Sequence, residues 1–423
     1  MRRQNPSMLE LFPETALVED RVLSVGGLTA AALADRFGTP LVVFCERTIR
    51  TRAQAYRAAA PEDALVVYGT KAFPNVALMR LLAEEGVGAD VSTLGELAFA
   101  QAAGIPGERL VFHGNNKSDE ELRAAAHAGA LVALDAPDEP QRAHAAGVRR
   151  AMVRLTPGVD AATHSAIRTA HVESKFGLSP DDAIAAIRDA EELGIDVAGV
   201  HVHVGSQLTR ADESLLSVDL LAAFCKRARA ELSWTPELVD LGGGLGIPYE
   251  PDESPPEIDE YVHALVDRFH GAWEEPARLI LEPGRSLVGP AGVTLYRIGA
   301  VKRSGGVVYA AIDGGMSDNP RPQFYGARYT ALLANRATEP TAGAYRIAGK
   351  HCESGDVLID RVELPQPHRG DLLAVPATGA YTLGMGSNYN GVPRPAAVLV
   401  ADGNARITRR RETVDDLLRV ETE

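Results

Sequence analysis

The sequence predicts an α/β protein: a (β/α)8 barrel followed by a mostly β domain. Three observations point there. Eight short apolar runs alternate with segments of helical periodicity between residues 65 and 281, and such alternation over about 250 residues is the size of a closed parallel barrel. Polar residues close these runs one after another, where a barrel gathers its functional side chains. After residue 288 helical periodicity gives way to β-branched runs punctuated by glycine, proline and aspartate. A doubly wound open sheet is the alternative that the same alternation permits.

A helix over 47–59 is expected ahead of the barrel. Leu65-Val66-Val67-Tyr68 is the first strand, and 75–85 carries Val76, Leu78, Met79, Leu81 and Leu82 at helical spacing. A strand at 87–91 and a helix at 95–103 follow. Leu110-Val111-Phe112 is the third strand, and the next helix opens on Ser118 with Glu121 three residues on, a capping box. Further strands are expected at 131–134, 151–155, 197–204, 238–241 and 279–281, with a helix at 181–193 begun by Ser179-Pro180. Each strand but the last is followed by a helix in this reading. Beyond residue 288, strands are expected at 293–298, 307–312, 372–375 and 397–400. Asp402-Gly403 reads as the hairpin turn before Ala405-Arg406-Ile407-Thr408.

The 423 residues are 45% hydrophobic and 24% charged, which fits a globular chain with ample core. With 43 Lys and Arg against 57 Asp and Glu, the net charge of −14 argues against a non-specific hold on nucleic acid or an anionic membrane. No apolar run reaches the roughly 18–20 residues of a membrane helix. Met1-Arg2-Arg3-Gln4-Asn5-Pro6 is followed by Glu10, Glu14 and Glu19 rather than an apolar signal core. Cys45, Cys225 and Cys352 are odd in number and far apart, as in a reducing compartment. A cytoplasmic protein is expected.

The strand ends carry the chemistry. Lys71 follows Tyr68-Gly69-Thr70, Asp90 closes the second strand, and His113-Gly114-Asn115-Asn116 follows the third. Arg154 lies near the end of the fifth, His201, His203 and Ser206 at the sixth, Gly242-Gly243-Gly244 at the seventh and Glu282-Pro283-Gly284-Arg285 at the eighth. One polar strand end means little; this many on one rim make a site. A desolvated Lys71 amine forms a Schiff base with a carbonyl, although a strand-end lysine also simply snorkels. Leu241-Gly242-Gly243-Gly244-Leu245-Gly246 leaves backbone amides unobstructed for a phosphate, and equally makes a tight turn. Its spacing matches neither the P-loop nor the dinucleotide fingerprint. His201 and His203 share one face of a strand, which suits a metal pair, with Asp90, His113 and Glu282 as recruits, or plain packing. Glu282 and Arg285 offer a carboxylate and a guanidinium at one strand end, or an internal ion pair. Farther on, Cys352-Glu353-Ser354-Gly355-Asp356 is short and polar, and Arg321 with Tyr325 offers a carboxylate clamp and a hydroxyl. Ala380-Tyr381 and Ser387-Asn388-Tyr389-Asn390 add hydrogen-bonding groups.

Seven motifs, in order, resemble those of the fold-type III pyridoxal-phosphate-dependent decarboxylases over nearly the whole chain. They are Tyr68-Gly69-Thr70-Lys71-Ala72, His113-Gly114-Asn115-Asn116-Lys117-Ser118, Ser174-Lys175-Phe176-Gly177, His203-Val204-Gly205-Ser206-Gln207, Glu282-Pro283-Gly284-Arg285, Cys352-Glu353-Ser354-Gly355-Asp356 and Ser387-Asn388-Tyr389-Asn390. The match is strongest to members that act on diaminopimelate. The resemblance implies a barrel over 47–288, with 1–46 joining 289–423 in a β-sandwich-like domain. It implies pyridoxal 5′-phosphate as cofactor, no metal, and decarboxylation of meso-2,6-diaminopimelate to L-lysine and carbon dioxide, the last step of lysine biosynthesis.

The same resemblance assigns roles. Lys71 would hold the cofactor covalently, His203 would stack on its ring and Glu282 would pair with the ring nitrogen. Asp90 and Gly243 would belong to the cofactor pocket, while Ser206, Gly244, the Gly284-Arg285 backbone and Tyr381 would hold the phosphate. Arg285, Arg321 and Tyr325 would hold the substrate's remote carboxylate, Glu353 its remote ammonium, with Tyr381 alongside. Cys352 would donate the proton. In the family the residues matching Cys352 and Glu353 reach the site from the partner subunit, so a homodimer is implied. Phe73 stands where many members have asparagine, and Met385-Gly386 is less usual; neither removes an assigned residue.

The chemistry agrees with those roles. Loss of carbon dioxide leaves an electron pair on Cα that needs a conjugated sink, and a carboxylate at the ring nitrogen keeps that sink strong. Arginines belong at the substrate's far end, where they orient the scissile bond without stabilising the ground state. A thiol, with a free pKa of about 8.5, suits proton donation. Two other classes stay open: a decarboxylase of another amino acid such as ornithine, whose relatives place aspartate after the cysteine, and a metal-dependent barrel hydrolase using His201 and His203. A non-catalytic vitamin carrier is a further reading, but such relatives are shorter and lack Arg321, Cys352 and Tyr381.

Overall fold

The structure, a computed structural model, describes residues 8–156 and 174–422, so the leader reading of residues 1–6 lies outside the described residues. The chain divides into two compact units. One takes in Arg52–Gly246 and Pro255–Ser286; the other takes in the chain up to Thr51, Ile247–Ser254 and everything from Leu287 onward.

The first unit is a closed barrel of eight parallel strands: Leu65–Gly69, Gly88–Val91, Leu110–Phe112, Leu131–Leu134, Arg150–Leu155, Asp196–Val202, Leu238–Asp240 and Arg278–Leu281. The last strand pairs with the first, Ile280 opposite Leu65 and Leu281 opposite Val66. That pairing excludes the open sheet. Leu65, Val67, Val111, Ala133, Met152 and Ile280 fill the interior, which makes the barrel a packed core rather than a pore.

Local chemistry starts the helices where expected. The Asn75 side chain accepts from the amides of Ala77 and Leu78 and opens Val76–Glu84. Ser118 and Glu121 form a reciprocal capping box on Asp119–Ala128, and Ser179 caps Pro180–Glu192. Among the barrel's helices, one differs from the sequence expectation. The last strand too is followed by a helical turn, Arg285–Val288, because four residues are too few to show a period.

In the second unit, Leu41–Cys45 is the buried spine of a large sheet. It pairs antiparallel with Gly292–Ser304 and parallel with Ala396–Ala401. Asp402 and Gly403 both have positive φ, 46° and 76°, and Ala401 lies opposite Asn404. This is the two-residue hairpin turn the sequence predicts. Gly343–Ala348 and Val357–Leu364 pair antiparallel and flank the loop that carries Cys352. Ile247 and Tyr249 fall inside the span read from sequence as barrel, yet they pack among Tyr296, Tyr329 and Leu333 of the second unit. Two apolar side chains either side of Pro248 are too short a run to betray that excursion. Among the described residues, no helix is long and apolar enough to cross a membrane.

Candidate active site

The barrel's C-terminal rim is built strand by strand. Lys71 sits in the single turn Thr70–Ala72 after the first strand, and the Thr70 hydroxyl fastens that turn to the second strand by donating to Asp90 O at 2.7 Å. Lys71 Nζ lies 3.8 Å from Asp90 Oδ2; the lysine side chain is half exposed and the aspartate buried. Burial, then the charge of Glu282, pushes the Asp90 carboxyl up to about 6.

Glu282, directly after the eighth strand, is the focus of the electrostatics. His113 Nε2 is 2.6 Å from its Oε1 and His201 Nε2 is 3.3 Å from its Oε2. Burial alone would raise the Glu282 carboxyl, but the two imidazoles outweigh it and hold the group well below the usual carboxylate range. The neighbours are discharged. Burial brings His201 down to about 3 and lowers His203 strongly, while burial and Glu282 push Asp240 well above its ordinary value. Of these buried carboxyls, Glu282 is therefore the one most firmly held as an anion.

The glycine turn after the seventh strand is shaped by contacts, and it offers fewer donors than the sequence suggests. Gly242 N donates to Asp240 Oδ1, Gly243 N to His203 Nδ1 at 3.3 Å, and Gly246 N to Leu208 O. The sequence expects several unobstructed amides here; among the described residues, Gly244 and Leu245 are the turn's amides not committed in this way. The bond from Gly243 fixes the neutral His203 with its hydrogen on Nε2. A side chain at Gly243 would place Cβ 2.1 Å from Glu282 O, so the two strand ends can meet only over glycine. Beside the turn, Arg285 Nη2 donates to Ser206 Oγ at 2.9 Å, and Gly69 N donates to Pro283 O, next to Gly284.

The remaining candidates belong to the second unit. Arg321 opens the short helix Arg321–Tyr325 and is buried; its guanidinium lies 4.3 Å from the Tyr249 ring centre and donates to Tyr329 Oη at 2.5 Å. Tyr325 is exposed. Cys352 is exposed, and its amide donates to Asn390 Oδ1 at 2.8 Å. Tyr389 Oη reaches Glu353 at 3.4 Å, so the loop with both residues leans on the Tyr389-Asn390 pair. Below it, His351 Nδ1 bonds to Asp356 Oδ2 at 2.6 Å, both buried. Tyr381 has φ of +59°, a strained backbone for a bulky residue.

The rim set has a definite chemical fit. An amine can hold an aldehyde, a buried ionised carboxylate can face a pyridinium, and a glycine turn beside a serine and an arginine can take a phosphate. The metal alternative fares differently. His201 clusters with His113, Asp240 and Glu282, their ligand-type atoms within 4.8 Å, but not with His203. The short His113–Glu282 bond ties two of that set to each other.

A closed barrel with this rim is a pyridoxal-binding barrel of the decarboxylase type. The family described as "Pyridoxal-dependent decarboxylase, pyridoxal binding domain" matches residues 46–289. A diaminopimelate decarboxylase of Actinosynnema pretiosum is 44% identical over 97% of this chain and 95% of that protein, and one of Bacillus subtilis is 41% identical over 94% and 95%. A solved diaminopimelate decarboxylase from M. jannaschii, in co-complex with L-lysine, superposes with a TM-score of 0.91 at 34% identity, covering 97% of this chain and 98% of that one. The chain belongs to the pyridoxal-dependent decarboxylases and, within them, to the diaminopimelate decarboxylase family.

Sequence reasoning missed several members of these constellations. Asp240 closes a strand as Asp90 does, and that position was the available signal. Tyr249 and Tyr329, which box Arg321, had no local signal at all.

Proposed function

We propose that this chain decarboxylates meso-2,6-diaminopimelate to L-lysine and carbon dioxide, with pyridoxal 5′-phosphate held at Lys71, and that it works as a homodimer in the cytoplasm. The observation that carries the reading is the rim itself: an amine 3.8 Å from Asp90 on the same barrel mouth as the ionised Glu282. The relatives named for this activity support it, as does the solved relative with L-lysine bound.

Bound cofactor supplies a conjugated cationic ring that accepts the electron pair freed as carbon dioxide leaves. The protein's residues do the rest. Lys71 anchors the aldehyde carbon, and Asp90 orients its amine. Glu282 keeps a proton on the ring nitrogen. His203, held neutral, would face the ring without repelling its charge. Ser206, Gly244, Gly284, Arg285 and Tyr381 hold the phosphate, and Gly243 contributes by orienting His203. Arg285, Arg321 and Tyr325 take the distal carboxylate and Glu353 the distal ammonium, which orients the scissile bond. Cys352 delivers a proton to Cα. In the homodimer, Cys352 and Glu353 serve the site of the second copy.

The test uses purified protein loaded with the cofactor. An absorbance band near about 420 nm is expected, and borohydride followed by peptide mapping should label Lys71. Carbon dioxide release should be faster from meso-diaminopimelate than from ornithine, and Cys352→Ala should keep the band yet lose most turnover. A label elsewhere, or faster release from ornithine, overturns the reading.

A further inference from the structure

One buried imidazole on the rim has no task in the roles above. His113 follows the third barrel strand, is buried, and bonds through Nε2 to Glu282 Oε1 at 2.6 Å. When Nε2 donates in the neutral ring, Nδ1 is a bare acceptor, and this Nδ1 is buried without a hydrogen-bond partner. A buried nitrogen left so weakens a fold, so stability does not explain the residue. The groups facing the same carboxylate are His201, Asp240 and Asp90, with Lys71 and His203 on the neighbouring strand ends. His113 makes the short, direct bond, and its ring also stands against His201, 4.6 Å between centres.

We propose that His113 is the positioning residue of the ring-facing carboxylate: its Nε2–H pins Glu282 by Oε1, so that the carboxylate's charge is kept for the cofactor's ring nitrogen. The inference rests on the pyridoxal reading and deepens it. Without the imidazole, burial acts on Glu282 unopposed on that side, the carboxyl takes up a proton, and the ring nitrogen loses its counter-charge. The electron sink weakens while the groups that hold the distal end of the substrate are untouched.

Enzyme loaded with ring-15N-labelled pyridoxal phosphate reads the ring nitrogen without turnover. The wild-type resonance should lie at the protonated position and that of His113→Phe should move toward the unprotonated one. Steady-state kcat should fall roughly 10- to 100-fold, with KM for diaminopimelate little changed. His113→Gln carries an amide donor to about the reach of Nε2 and should keep resonance and kcat near wild type; His113→Asn is too short and should behave like the phenylalanine variant. If His113→Phe does not fold, the glutamine and asparagine variants decide, and equal resonances in those two overturn the proposal. So does an unshifted resonance in His113→Phe. Wild-type protein that takes up no labelled cofactor overturns the pyridoxal reading instead.

Discussion

Lys117, the last charged residue of the His113-Gly114-Asn115-Asn116-Lys117-Ser118 motif, is buried completely, and its removal gives a sharp test of how the rim is held. Its Nζ lies 3.0 Å from Glu139 Oε1, with side-chain exposures of 0% and 1%, and it donates to Gly114 O at 2.6 Å and Ala133 O at 2.7 Å. Burial pulls the Lys117 amine below its ordinary value. Glu139 uses its other oxygen to accept the Asp135 amide at 2.6 Å. Lys117→Met leaves that carboxylate buried and uncompensated, a loss of about 3–5 kcal/mol, and strips the buried Ala133 carbonyl and the part-buried Gly114 carbonyl of a donor, about 1 kcal/mol or more for the buried one. The total rivals the stability of an ordinary domain. Glu139→Gln keeps an acceptor for Asp135 and lets the amine shed its proton, so it should lose much less. The double variant should recover at least about 2 kcal/mol relative to the sum of the singles. Both tryptophans, Trp234 and Trp273, lie in the barrel unit, so denaturant unfolding followed by tryptophan fluorescence reports on that unit. Additivity of the singles within about 0.5 kcal/mol would refute the reasoning.

Three further outcomes are expected. Gly243→Ala should destabilise the barrel by about 1–3 kcal/mol, since Cβ meets backbone at Glu282, whereas Gly271→Ala, with open space around it in Ile258–Ala272, should stabilise by about 0.5–1 kcal/mol in the same melt. Arg321→Lys keeps the charge but loses the planar fork, and with one charge-assisted hydrogen bond to the distal carboxylate gone, about 2 kcal/mol, it should raise KM for diaminopimelate by roughly 30-fold; an unchanged KM removes Arg321 from the clamp. Asp318 is buried with its carboxyl raised from 3.8 to about 7 by burial. The folded state keeps its proton while the unfolded chain has lost it, so its contribution is intact below pH 3.8 and falls away as pH rises through about 7. The difference between wild-type and Asp318→Asn stability should therefore grow with pH by up to about 4 kcal/mol, and parallel curves at pH 5 and pH 8 would contradict it.

The barrel was readable because parallel strands buried on both faces are unbroken apolar runs, and because functional side chains must interrupt them at one end. Lys71, Asp90, His203 and Glu282 each fall at that interruption. What the sequence could not show was who touches whom. Gly243 looks like an open phosphate amide, but its hydrogen goes to His203 Nδ1. Tyr249 reads as barrel and instead stacks on Arg321, because the chain leaves the barrel unit after Gly246 and returns at Pro255. Periodicity reports a residue's own element and is silent about partners brought from elsewhere.

Charge states were hidden for the same reason, and they decide what the rim can do. Five titratable side chains, Asp90, His113, His201, Asp240 and Glu282, are buried at strand ends; from sequence they offer as many possible charges. Burial raises Asp90 and Asp240 and lowers His201. Only a direct donor reverses that, and the shortest donor contact in the group runs to Glu282. The result is one carboxylate held firmly ionised, Glu282, beside an Asp90 that faces the Lys71 amine, on a rim whose imidazoles His201 and His203 are neutral. A metal site would need several neutral or anionic ligands converging without bonding each other, and a hydrolytic dyad would need two carboxylates poised to trade protons with water. A carboxylate fixed as an anion beside neutral His201 and Asp240 suits a cationic ring instead. It follows that a substitution at a neighbour that already carries no charge, such as Asp240→Asn, should leave the anion in place, while those that delete the donor should move it.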